Sequence, residues 1–255
     1  MADENEILRQ LVDMSNELGR PERDLVILGE GNTSADCGDG TFWVKGSGSE
    51  LRTITADGFV RLWAEPICAL ADGGPLSDDE LKEALDAAKV DASVSRRPSV
   101  ETVLHALALT EMGARYVAHT HPVAVNVLMC SMQGPEAFAG RIFPDEIVVC
   151  GPAPAYVPYT DPGLPLARVV RDTYRRYADT WGVVPKVILM QNHGMIALGS
   201  SPREVDSITA MFVKTCRILA GTYALGGPHF LTEEHMQRIY TRPEEAYRRK
   251  ALKLD

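Results

Sequence analysis

The sequence predicts an α/β protein: a single three-layer α/β/α domain with a central mixed, largely antiparallel sheet. Three observations carry that expectation. Short β-rich runs are interleaved with segments of helical period. The 255 residues fall in the range where α/β folds form one core. No internal repeat, low-complexity tract or linker-like stretch divides the chain.

Taken in order, Ile7, Leu8, Leu11, Val12 and Leu18 recur at helical spacing before Gly19, so the first element is an amphipathic helix with a glycine stop. The apolar run 25–28 leads into the glycine-rich turn Gly29-Glu30-Gly31-Asn32, and Thr41-Phe42-Trp43-Val44 reads as a strand. Ser77-Asp78-Asp79-Glu80 is a capping box that opens a helix to about Val90. Pro98-Ser99 opens a second helix, with Val103, Leu104 and Leu107 on its apolar side and Gly113 at its end. Tyr116-Val117-Ala118 is a short strand running into His119, and Pro122 starts a helix. The runs Ile147-Val148-Val149 and Val187-Ile188-Leu189-Met190 are β-rich, with a helical pattern between them from about 166 to 181. Ser201-Pro202 caps a long helix that carries Val205, Ile208, Phe212, Thr215 and Leu219 on one face.

Composition narrows the function classes. Hydrophobic residues make up 45% and charged residues 24%, an ordinary globular balance that excludes a disordered or fibrous chain. A formal charge of −9 offers no global field for a polyanion, so nucleic acid is not an expected partner and any anionic ligand needs a local site. The five cysteines, Cys37, Cys68, Cys130, Cys150 and Cys216, are scattered without a C-x-x-C pair, which fits a reducing cytoplasm better than a disulfide framework or a cysteine zinc site. The first residues lack the basic and apolar regions of a secretory signal, so no export is expected. The uncharged stretch 116–135 has membrane-spanning length, but its histidines, Pro122, Asn126 and Gln133 would be costly in lipid, and it reads as buried core.

Three histidines carry the chemistry. His119 and His121 are one residue apart at a strand, where alternation sends both imidazoles to the same side. His193 follows the run 187–190 and precedes Gly194, as a ligand on a tight turn at a sheet end would. Together they suit a catalytic zinc-type site with one open position, although His-x-His alone is equally a chance pair with satisfied hydrogen bonds. Glu101 stands three residues after Pro98, where a carboxylate is favoured by the helix dipole, so it reads by itself as a helix-start acid. His105, one turn later, reads as a structural or supporting residue. Gly31-Asn32, Ser47-Gly48 and Ser99 are donor-rich turn or helix-start positions able to cradle an oxyanion.

The order Gly-Asn-Thr-Ser (31–34), Lys-Gly-Ser-Gly (45–48), Ser-Val-Glu (99–101), His-Thr-His (119–121) and Asn-His-Gly (192–194) resembles the class II aldolase/adducin family over roughly residues 5–225. The resemblance implies a divalent metal, most often Zn2+ with Mn2+, Co2+ or Ni2+ as alternatives, held by His119, His121 and His193. It implies Glu101 as acid/base and Gly31, Asn32, Ser47, Gly48 and Ser99 around the substrate phosphate. It implies retro-aldol cleavage of a ketose phosphate or related keto-substrate through an enediolate, in a homotetramer with sites between subunits. Decarboxylases, an epimerase, a dehydratase and the non-catalytic adducin head share the fold; retention of all three histidines argues against the last. Glu101, where epimerases of this kind tend to have aspartate, tilts toward lyase.

Two positions depart from the family pattern. Val100 stands where sugar-phosphate aldolases often have a second serine, and Lys45-Gly46 stands where many have Thr-Pro; Lys45 either supplies a positive charge or lies on the surface. The motifs resemble the aldolase portion of rhamnulose-phosphate aldolase/dehydrogenase fusions, with no dehydrogenase portion in this sequence. The expected organisation is one domain over 1–255, with 229–255 as a tail. That tail carries Tyr240, Tyr247 and the cluster Arg248-Arg249-Lys250, read as a solvated basic helix end.

Overall fold

The computed structural model of the chain describes residues 4–252. Seven strands form one sheet: β1 (Asn32–Asp36), β2 (Thr41–Lys45), β3 (Phe59–Trp63), β4 (Tyr116–Thr120), β5 (Ala155–Val157), β6 (Val187–Met190) and β7 (Gly194–Gly199). Their spatial order is β3-β2-β1-β4-β7-β6-β5. Only β5 and β6 are parallel; every other neighbouring pair is antiparallel. The mixed, largely antiparallel sheet is therefore as expected.

Alternation along the central strands divides the core into two layers. Val117, Ile188, Met190, Ile196 and Leu198 face one cluster with α2 (Ala64–Leu70), α3 (Asp78–Ala87), α4 (Thr102–Thr110) and α7 (Leu164–Trp181). Their neighbours Tyr116, Ala118, Val187, Leu189, Met195 and Ala197 face the other, with α1 (Glu4–Leu18), α5 (Val123–Met129), α6 (Pro144–Cys150) and α8 (Pro202–Ala224). Because helices cover both faces, β6 is apolar and buried at all of its positions. The chain closes with α9 (Glu233–Thr241) and α10 (Pro243–Leu252). The side chains of Arg248, Arg249 and Lys250 lie outside the described residues.

Local signals place most helices. Ser77 accepts from the Glu80 backbone N–H while the Glu80 carboxylate accepts from the Ser77 N–H, the reciprocal capping box that opens α3. Ser201 caps α8 with Pro202 in its first turn, and β4 gives way to α5 after Pro122.

Three expectations are corrected. Ile147-Val148-Val149 belongs to α6, not a strand: Pro144 and the acids Asp145 and Glu146 form a helix start, and burial beside α8 outweighs the β preference of the branched residues. The glycine-rich turn ends at Gly31, and Asn32 is already in β1, paired with His119 of β4. The stretch 116–135 is buried at every position only in β4. Val123 (61% exposed) and Val127 (53%) face outward because α5 is an outer-layer helix that buries only Val125, Leu128 and Met129, and Met132 (101%), beyond the helix, is exposed too. All five cysteines are free, and no described helix is long and apolar enough to cross a membrane.

Candidate active site

The three histidines meet at one end of the sheet through strand pairing. β4 and β7 are antiparallel with Thr120 opposite Met195, which sets His121 beside the start of β7. His193 lies in the turn from β6 to β7, where the preceding Asn192 takes the left-handed conformation (φ 53°). Gly194 is required there: a Cβ would lie 2.4 Å from the Thr120 carbonyl oxygen and 2.8 Å from His121 Cδ2. The ring centroids are 4.7 Å (119–121), 4.9 Å (119–193) and 5.0 Å (121–193) apart. One nitrogen from each ring lies within 4.8 Å of the others.

Backbone contacts orient His119 and the turn that carries His193. The Nδ1–H of His119 donates to the Met195 carbonyl at 3.0 Å, which turns Nε2 inward toward the other two rings. Asn126 Nδ2 donates to the His193 carbonyl at 3.0 Å and steadies the turn. Burial, and then the neighbouring His119, push His121 down to about 3 and His193 down to about 4, so both rings are neutral and able to donate a lone pair near neutral pH.

Glu101 enters from the opposite layer. It occupies the residue before α4, yet its side chain makes no capping hydrogen bond, so the helix-start role is not the one its carboxylate fills. Instead Oε1 lies 3.3 Å from His193 Nε2 and Oε2 lies 3.5 Å from His119 Nε2. Burial pushes the carboxyl up, but His119, the Asn32 amide, His193 and His105 outweigh it and hold it at about 2. Oε1 is buried without a hydrogen-bond partner. Three clustered imidazoles, two of them beside a carboxylate with one unpartnered oxygen, are a donor set that suits a divalent cation with one open position.

A directed relay fixes Glu101. Ser34 Oγ lies 2.6 Å from His105 Nδ1, and His105 Nε2 contacts Asn32 Oδ1. Asn32 Nδ2 then donates to Glu101 Oε2 at 2.7 Å. Since the Asn32 amide donates to Glu101, its oxygen must accept from His105 Nε2–H, and His105 Nδ1 must accept from the Ser34 hydroxyl. Complete burial pushes His105 down to about 3, consistent with the neutral ring that this chain requires. Ser34 stood in the sequence only as the last residue of the Gly-Asn-Thr-Ser motif, with no role of its own; its signal is a position two residues beyond Asn32 on the same strand face.

The oxyanion candidates lie along the same end of the sheet. Gly31 (φ 67°) packs so closely that a Cβ would sit 2.6 Å from the His119 carbonyl oxygen. Asn32 Nδ2 is 3.5 Å from Ser99 Oγ, and Ser99 Oγ also accepts from the Glu101 N–H at 3.3 Å. Ser47 and Gly48 form the turn after β2, tied to the segment before Ser99 by the Gly46–Pro98 bridge and by Ser47 N–H to the Arg97 carbonyl at 2.9 Å. Lys45 is not a surface residue. It is 4% exposed, its ammonium donates to the Gly29 carbonyl at 3.0 Å, and burial pushes it down against the opposing pull of Glu101. Beside His121 opens a cavity of about 570 Å³ lined partly by Glu30, Arg52, Leu51 and Val127. Glu30 Oε1 is 3.9 Å from His121 Nδ1.

Comparison with known proteins bears on the fold and the family. The chain is 30% identical over 202 residues to "Uncharacterized oxidoreductase YuxG" of Bacillus subtilis (strain 168), matching 76% of this chain but only 27% of that protein. This chain therefore spans about a quarter of the length of that relative. Among solved structures it superposes on YgbL from Klebsiella pneumoniae, described as a putative aldolase/epimerase/decarboxylase, with TM-score 0.71 and 19% identity over 94% of this chain and 100% of that one. It superposes on an L-fuculose 1-phosphate aldolase with TM-score 0.68 and 19% identity over 94% and 96% of the two chains. At those identities the likeness speaks for the fold. The family description "Class II Aldolase and Adducin N-terminal domain" matches residues 9–220, and the chain belongs to that family.

Proposed function

We propose that the chain is a metal-dependent lyase that breaks a carbon–carbon bond of a ketose phosphate or related keto-substrate by retro-aldol cleavage. The observation that carries this reading is the Glu101 carboxylate, buried and anionic, set between His119 and His193 with Oε1 lacking a hydrogen bond. His119, His121 and His193 are the residues that would hold a divalent ion, Zn2+ best suiting three imidazoles and Mn2+, Co2+ or Ni2+ being alternatives. Such an ion, when bound, supplies Lewis-acid stabilisation of the negative charge that cleavage leaves on the carbonyl-bearing fragment.

The chain's own residues supply the proton chemistry. Glu101 is ionised at rest, so it accepts a proton, and Oε1 is the oxygen free to do so. Asn32, held by His105, fixes the carboxylate through Oε2 and leaves Oε1 facing His193. Gly31, Ser47, Gly48 and Ser99 orient the non-reacting end of the substrate. The reading extends to a single domain over 1–255 with the tail 229–255, a cytoplasmic location and a homotetramer whose sites lie between subunits.

Testing it takes a panel of ketose phosphates and unphosphorylated keto-acids, assayed for aldehyde release with and without added Zn2+, Mn2+, Co2+ or Ni2+. Metal-dependent aldehyde release is expected. Carbon dioxide release or a stereochemical change in the substrate, without aldehyde, replaces the lyase reading by a decarboxylase or an epimerase.

A further inference from the structure

Two cavities meet at one arginine beside the turn that carries Ser47. The larger, about 670 Å³, is lined by Ser47, Arg97 and the polar segment around Ser93, Ser95 and Arg96, with Asp57 as its one acid. The smaller, about 100 Å³, is lined by Ser47 and Arg97 again, with Pro98, Val100, Lys82 and Asp86. The bridge between Gly46 and Pro98 is antiparallel, so Ser47 and Arg97 stand directly opposite each other, and the Ser47 N–H bonds the Arg97 carbonyl at 2.9 Å. Directly paired residues carry their side chains on the same face of the ribbon.

The neighbouring cations differ in how they are engaged. Arg96 is structural: Nε donates to the Asp57 carbonyl at 2.6 Å, Nη1 donates to Ser49 Oγ at 2.9 Å, and its stem lies over Gly46. Lys82 pairs with Asp79 at 3.1 Å on the outside of α3. Arg97 has one loose ionic neighbour, Asp86, at 3.9 Å, and its side chain is 69% exposed. A guanidinium with its fork uncommitted, opposite a serine and two residues before Ser99, is placed to take two oxygens of an oxyacid group. In a chain of formal charge −9, such a local cation is what an anionic substrate end requires.

We propose that Arg97 is a specificity-determining residue that pairs its guanidinium with the oxyanion at the non-reacting end of the substrate, a phosphate or a carboxylate, alongside Ser47. The inference rests on the lyase reading for what that anion belongs to, but it is read out by binding alone.

The experiment measures the affinity of the metal-loaded full chain for inorganic phosphate and, separately, for malonate, by titration calorimetry at fixed ionic strength. Arg97→Ala should weaken one of the two anions by about tenfold or more, the loss expected of a charge-assisted contact. Arg97→Lys should fall between, since it keeps the charge and loses the fork. Arg175→Ala on α7, which removes a cation paired with Glu111 at 3.1 Å and outside both cavities, makes the same change in net charge and should alter the affinity less than about twofold. Whichever anion depends on Arg97 identifies the substrate end as phosphate or carboxylate. If Arg97→Ala binds both anions as the parent does, or if Arg175→Ala weakens them equally, the assignment is overturned. Thermal melting of each variant separates lost binding from lost folding; were Arg97→Ala unfolded, an Arg97→Lys affinity equal to the parent's for both anions would overturn the pairing. Absence of lyase turnover with Arg97-dependent anion binding rejects the reaction and keeps the site, whereas lyase turnover with Arg97-independent binding does the reverse.

Discussion

The Nε2 atoms of His119 and His121 face each other at 3.0 Å. Nδ1–H of His119 is committed to the Met195 carbonyl, so Nε2 is its nitrogen turned toward His121, and burial keeps His121 neutral. Such close nitrogens, with His193 Nε2 beside the same carboxylate, are a geometry that a shared cation stabilises.

Metal content tests this directly. Purified protein should carry about one divalent ion per chain, removable by chelator, as a three-imidazole site predicts. Single changes His119→Ala, His121→Ala and His193→Ala should each lower occupancy by elemental analysis. Full occupancy in all three would remove the site.

Glu101→Gln keeps the size and the contact with Asn32 but removes the proton acceptor. Turnover should fall by roughly 10²- to 10⁴-fold with metal content and folding near normal. A residue serving only as a charge at the start of α4 would cost at most about 1 kcal/mol of stability and leave activity per folded molecule unchanged. Activity within a few-fold of the parent, at equal metal occupancy, takes Glu101 out of the mechanism.

Asn32→Ala should act through Glu101 rather than through the histidines. Loss of its amide removes the 2.7 Å bond that fixes the carboxylate and leaves buried His105 without its Nε2 partner, at a cost of about 1–3 kcal/mol in stability. Steady-state kinetics should show a lower kcat while metal content is retained. Unchanged kcat would mean that Glu101 holds its position unaided.

Acid sensitivity follows from His105. Burial shifts it from an ordinary 6.5 to about 3, so the unfolded chain binds this proton more readily than the folded one. Its contribution to stability is complete above about pH 6.5 and is lost as pH falls from there toward 3. Urea melts of chelated protein between pH 7 and 4 should show declining stability, and His105→Gln should flatten that slope by up to one proton. An equal slope in the variant would place the acid sensitivity elsewhere.

The exposed side of α5 bears on assembly. Val123 and Val127 lie one turn apart and face outward beside the cavity at His121. If this face is covered in a homotetramer, Val127→Glu should dissociate it, as read by light scattering at micromolar concentration. A monomeric parent would end the expectation of shared sites.

By itself the sequence determined what short-range rules decide. The capping box at Ser77, the cap at Ser201 and the His-x-His alternation all act within one turn or two strand residues, and each lies where its local chemistry puts it. The order of the motifs carried the family as well, and with it the three histidines as a set. Tertiary structure decided what depends on distant partners. Asn32 looks like part of a glycine turn until β4 pairs with it, and its bond to Glu101 spans 69 positions of chain. Glu101 looks like a helix-start acid until the histidines of the other elements surround it. Lys45 looks free to reach solvent until the Gly29 turn folds over its ammonium, and Ile147-Val148-Val149 keeps its β-rich composition inside a helix packed on α8. Propensity and pattern report a residue's neighbours along the chain, whereas burial, pairing and charge at this site come from neighbours brought close only when the sheet assembles.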